Sequence, residues 1–192
     1  MPRGRTSPEP PAGLLFREGF LSRDEERRLL DEIERLDFHE IVMHGVAARR
    51  TARHFGLDYD YERRAHVEEA EPLPEWLVPL RDPAGELAGV RGDELVEALV
   101  QRYPEGATIG WHRDAPSFGV VVGVSLASTC RLRFRRGGAG DRVVWELELP
   151  PRSAYVLGGA ARASWQHSVP PTKSLRYSIT FRTLRSSGKI AR

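Results

Sequence analysis

Six runs between residues 95 and 184 decide the fold: LVEALVQRY (95–103), VVVGVSLAS (120–128), RLRFRR (131–136), VVWELEL (143–149), SAYVLGG (153–159) and RYSITFRTL (176–184). Each is short, apolar at alternate positions or throughout, and bounded by glycine, proline or polar residues. Runs of this length with valine, tyrosine and phenylalanine predict antiparallel strands in a barrel or sandwich. In the last run Arg176, Ser178, Thr180 and Arg182 fall on one face, and Tyr177, Ile179 and Phe181 on the other. Two arginines on an inward strand face are costly to bury without anionic partners. The glycine-rich stretch Arg136-Gly137-Gly138-Ala139-Gly140 lacks the lysine and hydroxyl residue of a phosphate-binding loop and reads as a hairpin turn.

Upstream of these strands the periodicity is helical. Ser22 and Glu25 have capping-box spacing, and Leu29, Leu30, Ile33 and Leu36 follow at helical intervals, which predicts an amphipathic helix over 23–37. Pro72 and Pro74 open a second helix over roughly 74–90. Gly13 to Phe20 reads as a short strand or extended entry. The segment 38–72 is polar and aromatic-rich without clean periodicity, and reads as hairpins or long loops outside the core. Helices first and strands after predict an α+β fold with the helices packed on one sheet. Residues 1–12, rich in proline and charge, are expected to be a disordered lead-in, and 13–192 a single domain with its strand core at 95–185.

Composition bounds the function classes. Hydrophobic residues at 40% and charged residues at 29% suit a globular domain, and no apolar run is long enough to span a bilayer. The first residues lack the apolar stretch of a secretory signal. A lone cysteine, Cys130, excludes an internal disulfide and a multi-cysteine zinc site, so a reducing cytoplasm is the default location; a monomer is also expected. Net charge is only +2, yet 27 of the 29 basic residues are arginine. Arginine suits bidentate contacts to phosphate and carboxylate, although a coding bias would give the same excess.

Chemistry concentrates at Trp111-His112-Arg113-Asp114. In an extended segment His112 and Asp114 project from the same face and can occupy neighbouring corners of one metal. A third ligand is available from another strand in His167. Two histidines and a carboxylate form the facial triad of non-haem Fe(II) oxygenases, which leaves coordination positions open. Taken alone, the same residues also suit ordinary hydrogen bonding at a strand end.

Together the motifs resemble the AlkB-like branch of the Fe(II)/2-oxoglutarate-dependent dioxygenases. The family pattern is an HxD, a later histidine, and an Arg-x5-Arg about nine residues beyond; His112, Asp114, His167, Arg176 and Arg182 meet it in order and spacing. An N-x-Y element on the preceding strand is matched as Gln101-Arg102-Tyr103. The resemblance covers roughly residues 97–185 and implies a double-stranded β-helix, or jelly roll, with the metal at its open end. It implies that His112, Asp114 and His167 ligate Fe(II), and that Arg176 pairs with the distal carboxylate of 2-oxoglutarate with help from Tyr103. Gln101 and Ser178 would stand where the family has asparagines, and Arg182 near the keto-acid end and the iron. Fe(II), 2-oxoglutarate and O2 would then hydroxylate a C–H bond, and an N-methyl group so attacked leaves as formaldehyde.

Alkylated bases of DNA or RNA are the family's typical substrates, which points to oxidative dealkylation and repair. A protein side chain or small molecule is the alternative, and a non-catalytic binding module a more distant one. A base taken from its stack needs flat partners. Phe55, Tyr59, Tyr61 and His54 of the lid-like 38–72 segment, together with Trp111, are candidates, with Arg49, Arg50 and Arg53 for phosphates. Arg131, Arg133 and Arg135, alternating with inward Leu132 and Phe134, form a second basic stripe; a solvated face is the plain alternative for both. Beyond the HxD stand Ala115, Pro116 and Ser117, where several family members carry a base-recognising acid.

Overall fold

The computed structural model describes residues 9–43, 46–59, 67–69, 71–138 and 140–185. Its elements are β1 (Leu14–Arg17), α1 (Arg23–Ile33), β2 (His39–Met43), β3 (Val46–Phe55), β4 (Leu57–Tyr59), β5 (Val67–Glu69), α2 (Val78–Ala88), β6 (Leu95–Tyr103), β7 (Ile109–His112), β8 (Phe118–Leu126), β9 (Cys130–Arg136), β10 (Val143–Leu149), β11 (Ser153–Leu157), α3 (Gly159–Ala163), β12 (Gln166–Val169) and β13 (Arg176–Leu184). Seven strands form one sheet in the order β1-β11-β8-β13-β6-β3-β2, and four form a second in the order β10-β9-β12-β7. Among the described residues every strand pair is antiparallel.

Strand alternation sorts the side chains into two cores. Tyr177, Ile179 and Phe181 of β13, with Val122 and Val124 of β8, pack on Leu29 and Ile33 of α1 and Leu80 and Ala84 of α2. Fully buried residues such as Ile33 and Phe181 each contribute roughly 2 kcal/mol of apolar burial. On the other face Val121 and Leu157 meet Leu132, Phe134 and Leu149 of the smaller sheet. The result is a jelly roll of two facing sheets, with the helices against the outer face of the larger one. Among the described residues no helix is long and apolar enough to cross a membrane.

The capping box forms as read: Ser22 N–H donates to Glu25 Oε2 at 2.8 Å, and Glu25 N–H to Ser22 Oγ at 3.2 Å. Glu26 then ties α1 to two turns. It accepts from Ala127 N–H at 3.0 Å and from Arg152 Nη1 at 2.8 Å. Both partners hold left-handed backbone, φ 69° and 65°, a conformation that persists where surrounding contacts fix it. The helix ends at Ile33 and not at residue 37, because Arg35 and Leu36 close tighter turn bonds to Glu32 and Ile33. The second helix begins with a 3-10 turn at Glu75–Leu77 and stops at left-handed Gly89.

Segment 38–72 holds the expected hairpin but does not stay outside the core. β2 and β3 form a hairpin, and β3 pairs along β6, so the segment extends the larger sheet. Ala52 and Phe55 are buried there. Strong polarity concealed the strand because Arg50 and His54 point into a cavity and Arg53 to a rim ion pair with Glu71. Of the lead-in expected to be disordered over 1–12, residues 1–8 lie outside the described residues.

Candidate active site

Two four-residue strands absent from the apolar runs carry the histidines. β7 and β12 hold glycine, tryptophan, glutamine and serine, so no apolar alternation marked them. Their register pairs His167 with His112 and Val169 with Ile109, with a bulge between. The extra residue re-aims the side chains: Ile109 packs with the inner core, His112 faces His167, and Trp111 turns beneath Arg133 and Arg135 at 5.0 and 4.5 Å.

The imidazole rings of His112 and His167 lie 4.2 Å apart between centroids. Asp114, just beyond β7, places Oδ2 at 3.6 Å from His167 Nε2. Arg162 fastens the following loop by donating to the carbonyls of Ala115, Phe118 and Gly119. His112 Nδ1 lies 2.9 Å from the Gly110 carbonyl; a carbonyl can only accept, so Nδ1 carries the proton and Nε2 is left with its lone pair. Burial pushes the His167 pKa down to about 4, against the attraction of Asp114. Burial likewise lowers that of His112, so both rings are neutral donors at pH 7. Burial would raise Asp114, but Arg182 and then the two histidines more than offset it and hold the carboxyl ionised well below its usual range.

The donor chemistry of this set suits a cation. Two neutral imidazoles and a carboxylate are the donor chemistry of a ferrous site, and Asp114 Oδ2 is buried without a hydrogen-bond donor. His112 meets His167 ring to ring and Asp114 Oδ2 meets His167, although among the described residues no three His, Cys, Asp or Glu side chains stand close enough together to hold a metal ion as placed.

The same three groups line a cavity of about 470 Å³ between the sheets, with Arg176, Tyr103 and Ser178 on its larger-sheet wall. Arg176 is 2% exposed, lies over the Tyr103 ring at 5.0 Å and donates from Nε to Ser125 Oγ at 3.3 Å. Among the described residues no carboxylate forms an ion pair with it. Tyr103 donates its hydroxyl to Gln101 Oε1 at 3.0 Å. A buried guanidinium without an anion beside an open cavity is prepared for an anionic ligand.

Residues 14–182 match the model of the 2OG-Fe(II) oxygenase superfamily. The chain belongs to that superfamily. Within it the oxygenase is AlkB-like. It is 25% identical over 182 residues to tRNA (carboxymethyluridine(34)-5-O)-methyltransferase ALKBH8 of Mus musculus, an alignment that takes in 85% of this chain and 25% of that protein. It is 29% identical over 151 residues to alpha-ketoglutarate-dependent dioxygenase alkB homolog 3 of Rattus norvegicus, covering 71% of this chain and 50% of the relative. The oxygenase thus spans between a quarter and half the length of these two relatives. The solved structure of OsALKBH1 superposes with a TM-score of 0.63 at 16% identity, over 89% of this chain and 98% of that one, and shares the fold. Fe(II), 2-oxoglutarate and O2 are the cofactors that membership brings.

Other sequence expectations are corrected by the geometry. Arg182 keeps its expected place on the cavity wall beside Asp114, but its donors engage protein carboxylates: Nε and Nη2 donate to Asp114 Oδ1 at 3.1 and 2.8 Å, and Nη1 to both oxygens of Glu97 at 2.8 and 2.7 Å. Glu97 lies directly across the ladder from it. Phe55 is no base platform, since alternation along β3 sends it into the helix-side core. Arg53 shares that parity, lies 5.9 Å over the Phe55 ring and pairs with Glu71. Trp111 borders the cavity, but two guanidiniums cover its ring. Tyr61 falls outside the described residues, and of Tyr59 only its place on β4 is described. In the Arg131–Arg135 stripe, Leu132 and Phe134 are buried as expected, while Arg131 pairs with Glu146 at 3.3 Å.

Residues the sequence reading missed include Glu97 and Tyr155. Tyr155 lines the cavity, and burial pushes its hydroxyl pKa up against the opposing Arg176 charge. The ring sits over Gly123, where a Cβ would come within 2.2 Å of Cζ; a glycine inside a valine-rich strand was the available signal.

Proposed function

We propose that this oxygenase removes alkyl groups oxidatively from nucleobases in DNA or RNA, with Fe(II) on His112, Asp114 and His167 and 2-oxoglutarate on Arg176. The observation that carries the cofactor placement is the unpaired Arg176 guanidinium facing the same cavity as the triad. Bound there, iron with 2-oxoglutarate and O2 supplies the oxidation of a substrate C–H bond, and a hydroxylated N-methyl carbon departs as formaldehyde.

The chain's own side chains arrange that chemistry. Arg176 offers a fork to the distal carboxylate, with its plane steadied by the Tyr103 ring. The Gly110 carbonyl fixes the tautomer of His112, as outer partners of histidine ligands do. Arg182 holds one oxygen of Asp114 and leaves the other facing His167. Leu99, Val121, Leu132 and Leu149 provide apolar wall around these groups, and so limit water. Arg50, His54 and Arg113 border the cavity, where a polyanion and a flat base would meet cations and a ring. One relative's name refers to tRNA.

Incubation with Fe(II), 2-oxoglutarate and N-methylated DNA or RNA oligonucleotides is expected to release formaldehyde. His112→Ala and Asp114→Ala should abolish release; persistence of activity in either sinks the assignment. Succinate production without turnover of any oligonucleotide would shift the substrate to a protein side chain or small molecule.

A further inference from the structure

Glu97 has no counterpart in the motifs that identify the superfamily here, yet it is 1% exposed and lies deep beside the cavity. Both of its oxygens accept from Arg182 Nη1, at 2.8 and 2.7 Å. The opposite edge of that guanidinium, Nε and Nη2, donates to a single atom, Asp114 Oδ1, at 3.1 and 2.8 Å. Arg182 and Glu97 are register partners in the larger sheet, whereas Asp114 follows β7 of the smaller one. The larger sheet therefore reaches across the cavity to grip a side chain carried by the smaller. His54 Nδ1 stands 3.5 Å from Glu97 Oε1 on the cavity side.

We propose that Glu97 is a positioning residue for the metal site, acting through Arg182 to lock the Asp114 carboxylate so that only Oδ2 is presented to the ion. The inference rests on Asp114 being a ligand, as proposed above. Two arguments support it. With Oδ1 held by two donors, rotation of the carboxylate would break both bonds, which fixes a one-oxygen ligand. Glu97 also makes the triad of Glu97, Arg182 and Asp114 carry a net negative charge. Without it, Arg182 and Asp114 would sum to zero and leave no net negative charge beside a divalent ion. Both effects give the same sign, a weaker hold on metal when Glu97 is neutralised.

Glu97→Gln preserves shape and one acceptor but removes the charge. In the full chain, Mn(II) titration followed by the paramagnetic signal of the free ion is expected to show affinity reduced about 10- to 100-fold, the range for outer partners of metal ligands. At saturating Mn(II), 2-oxoglutarate affinity should stay unchanged, because Arg176 is untouched. Asp114→Ala serves as the companion: if it binds Mn(II) like the parent, the assignment of the site is at fault. If Asp114→Ala loses Mn(II) while Glu97→Gln keeps parental affinity, the role given to Glu97 is overturned. Should Glu97→Gln melt early, Glu97→Asp restores the charge on a shorter arm and is expected to recover part of the affinity. Mn(II) affinities that follow melting temperature across both variants, and not carboxylate charge, would likewise overturn it.

Discussion

Arg176 lies buried with a tyrosine face on one side and a serine hydroxyl at Nε, so its remaining donors are aimed and not searching. Lysine in its place keeps the charge and loses the fork. Charged hydrogen bonds contribute about 1.5–3 kcal/mol each, and Arg176→Lys is expected to raise the KM for 2-oxoglutarate about 10- to 100-fold. In steady-state succinate assays kcat at saturating cosubstrate should fall much less; an unaltered KM would remove Arg176 from the cosubstrate site. His112, Asp114, His167, Arg176 and Tyr103 were all legible in the sequence because their spacing is itself the pattern. Glu97 and Arg182 as partners were not. Their contact exists only once β6 and β13 are paired in one register, where matching Arg176 to Tyr103 forces Arg182 onto Glu97.

Among the elements, β8 offers the sharpest test. Gly123 lies between Thr180 of β13 and Tyr155 of β11 in the ladder, and its missing side chain is the space that the Tyr155 ring fills. Gly123→Ala is expected to cost about 1–3 kcal/mol by overpacking. In calorimetry it should lower Tm, and in titration weaken 2-oxoglutarate binding by displacing the hydroxyl near Arg176. Gly123→Ala together with Tyr155→Phe should not restore the loss, since the clash is with the ring; restoration would disprove the packing argument. The six apolar runs all became strands, as alternation and turn residues required. β3, β7 and β12 were concealed for one reason. Strands that face a polar cavity carry arginine, histidine and serine where a core strand carries valine, so hydrophobic pattern fails where function begins.

For the whole molecule the buried histidines link folding to acidity. In the unfolded chain His167 takes up a proton near 6.5, whereas in the folded chain it does so only near 4. Acidification through that interval protonates the unfolded chain first, so stability is fully held above about pH 6.5 and drains as pH falls toward 4. His167 alone accounts for about 3 kcal/mol of this, and the lowered pKa of His112 adds in the same direction. Urea unfolding of chelator-treated protein at pH 8, 6.5 and 5 should show flat, then declining stability. Stability that climbs toward pH 5 would mean the imidazoles are not buried together. Asp114, ionised well below the usual carboxylate range, comes into play only at stronger acidity.

The placement of Arg176 on one sheet and the two imidazoles on the other has a mechanical side. In the placement proposed above, a keto diacid gripped at its far end by the first and, through an ion, by the second would be a rivet through two walls. Ligand occupancy and the gap between the walls would then become a single equilibrium. Loading the protein would slow amide exchange in β13 and β12 alike, and any strain that spreads the walls would be felt as cofactor loss.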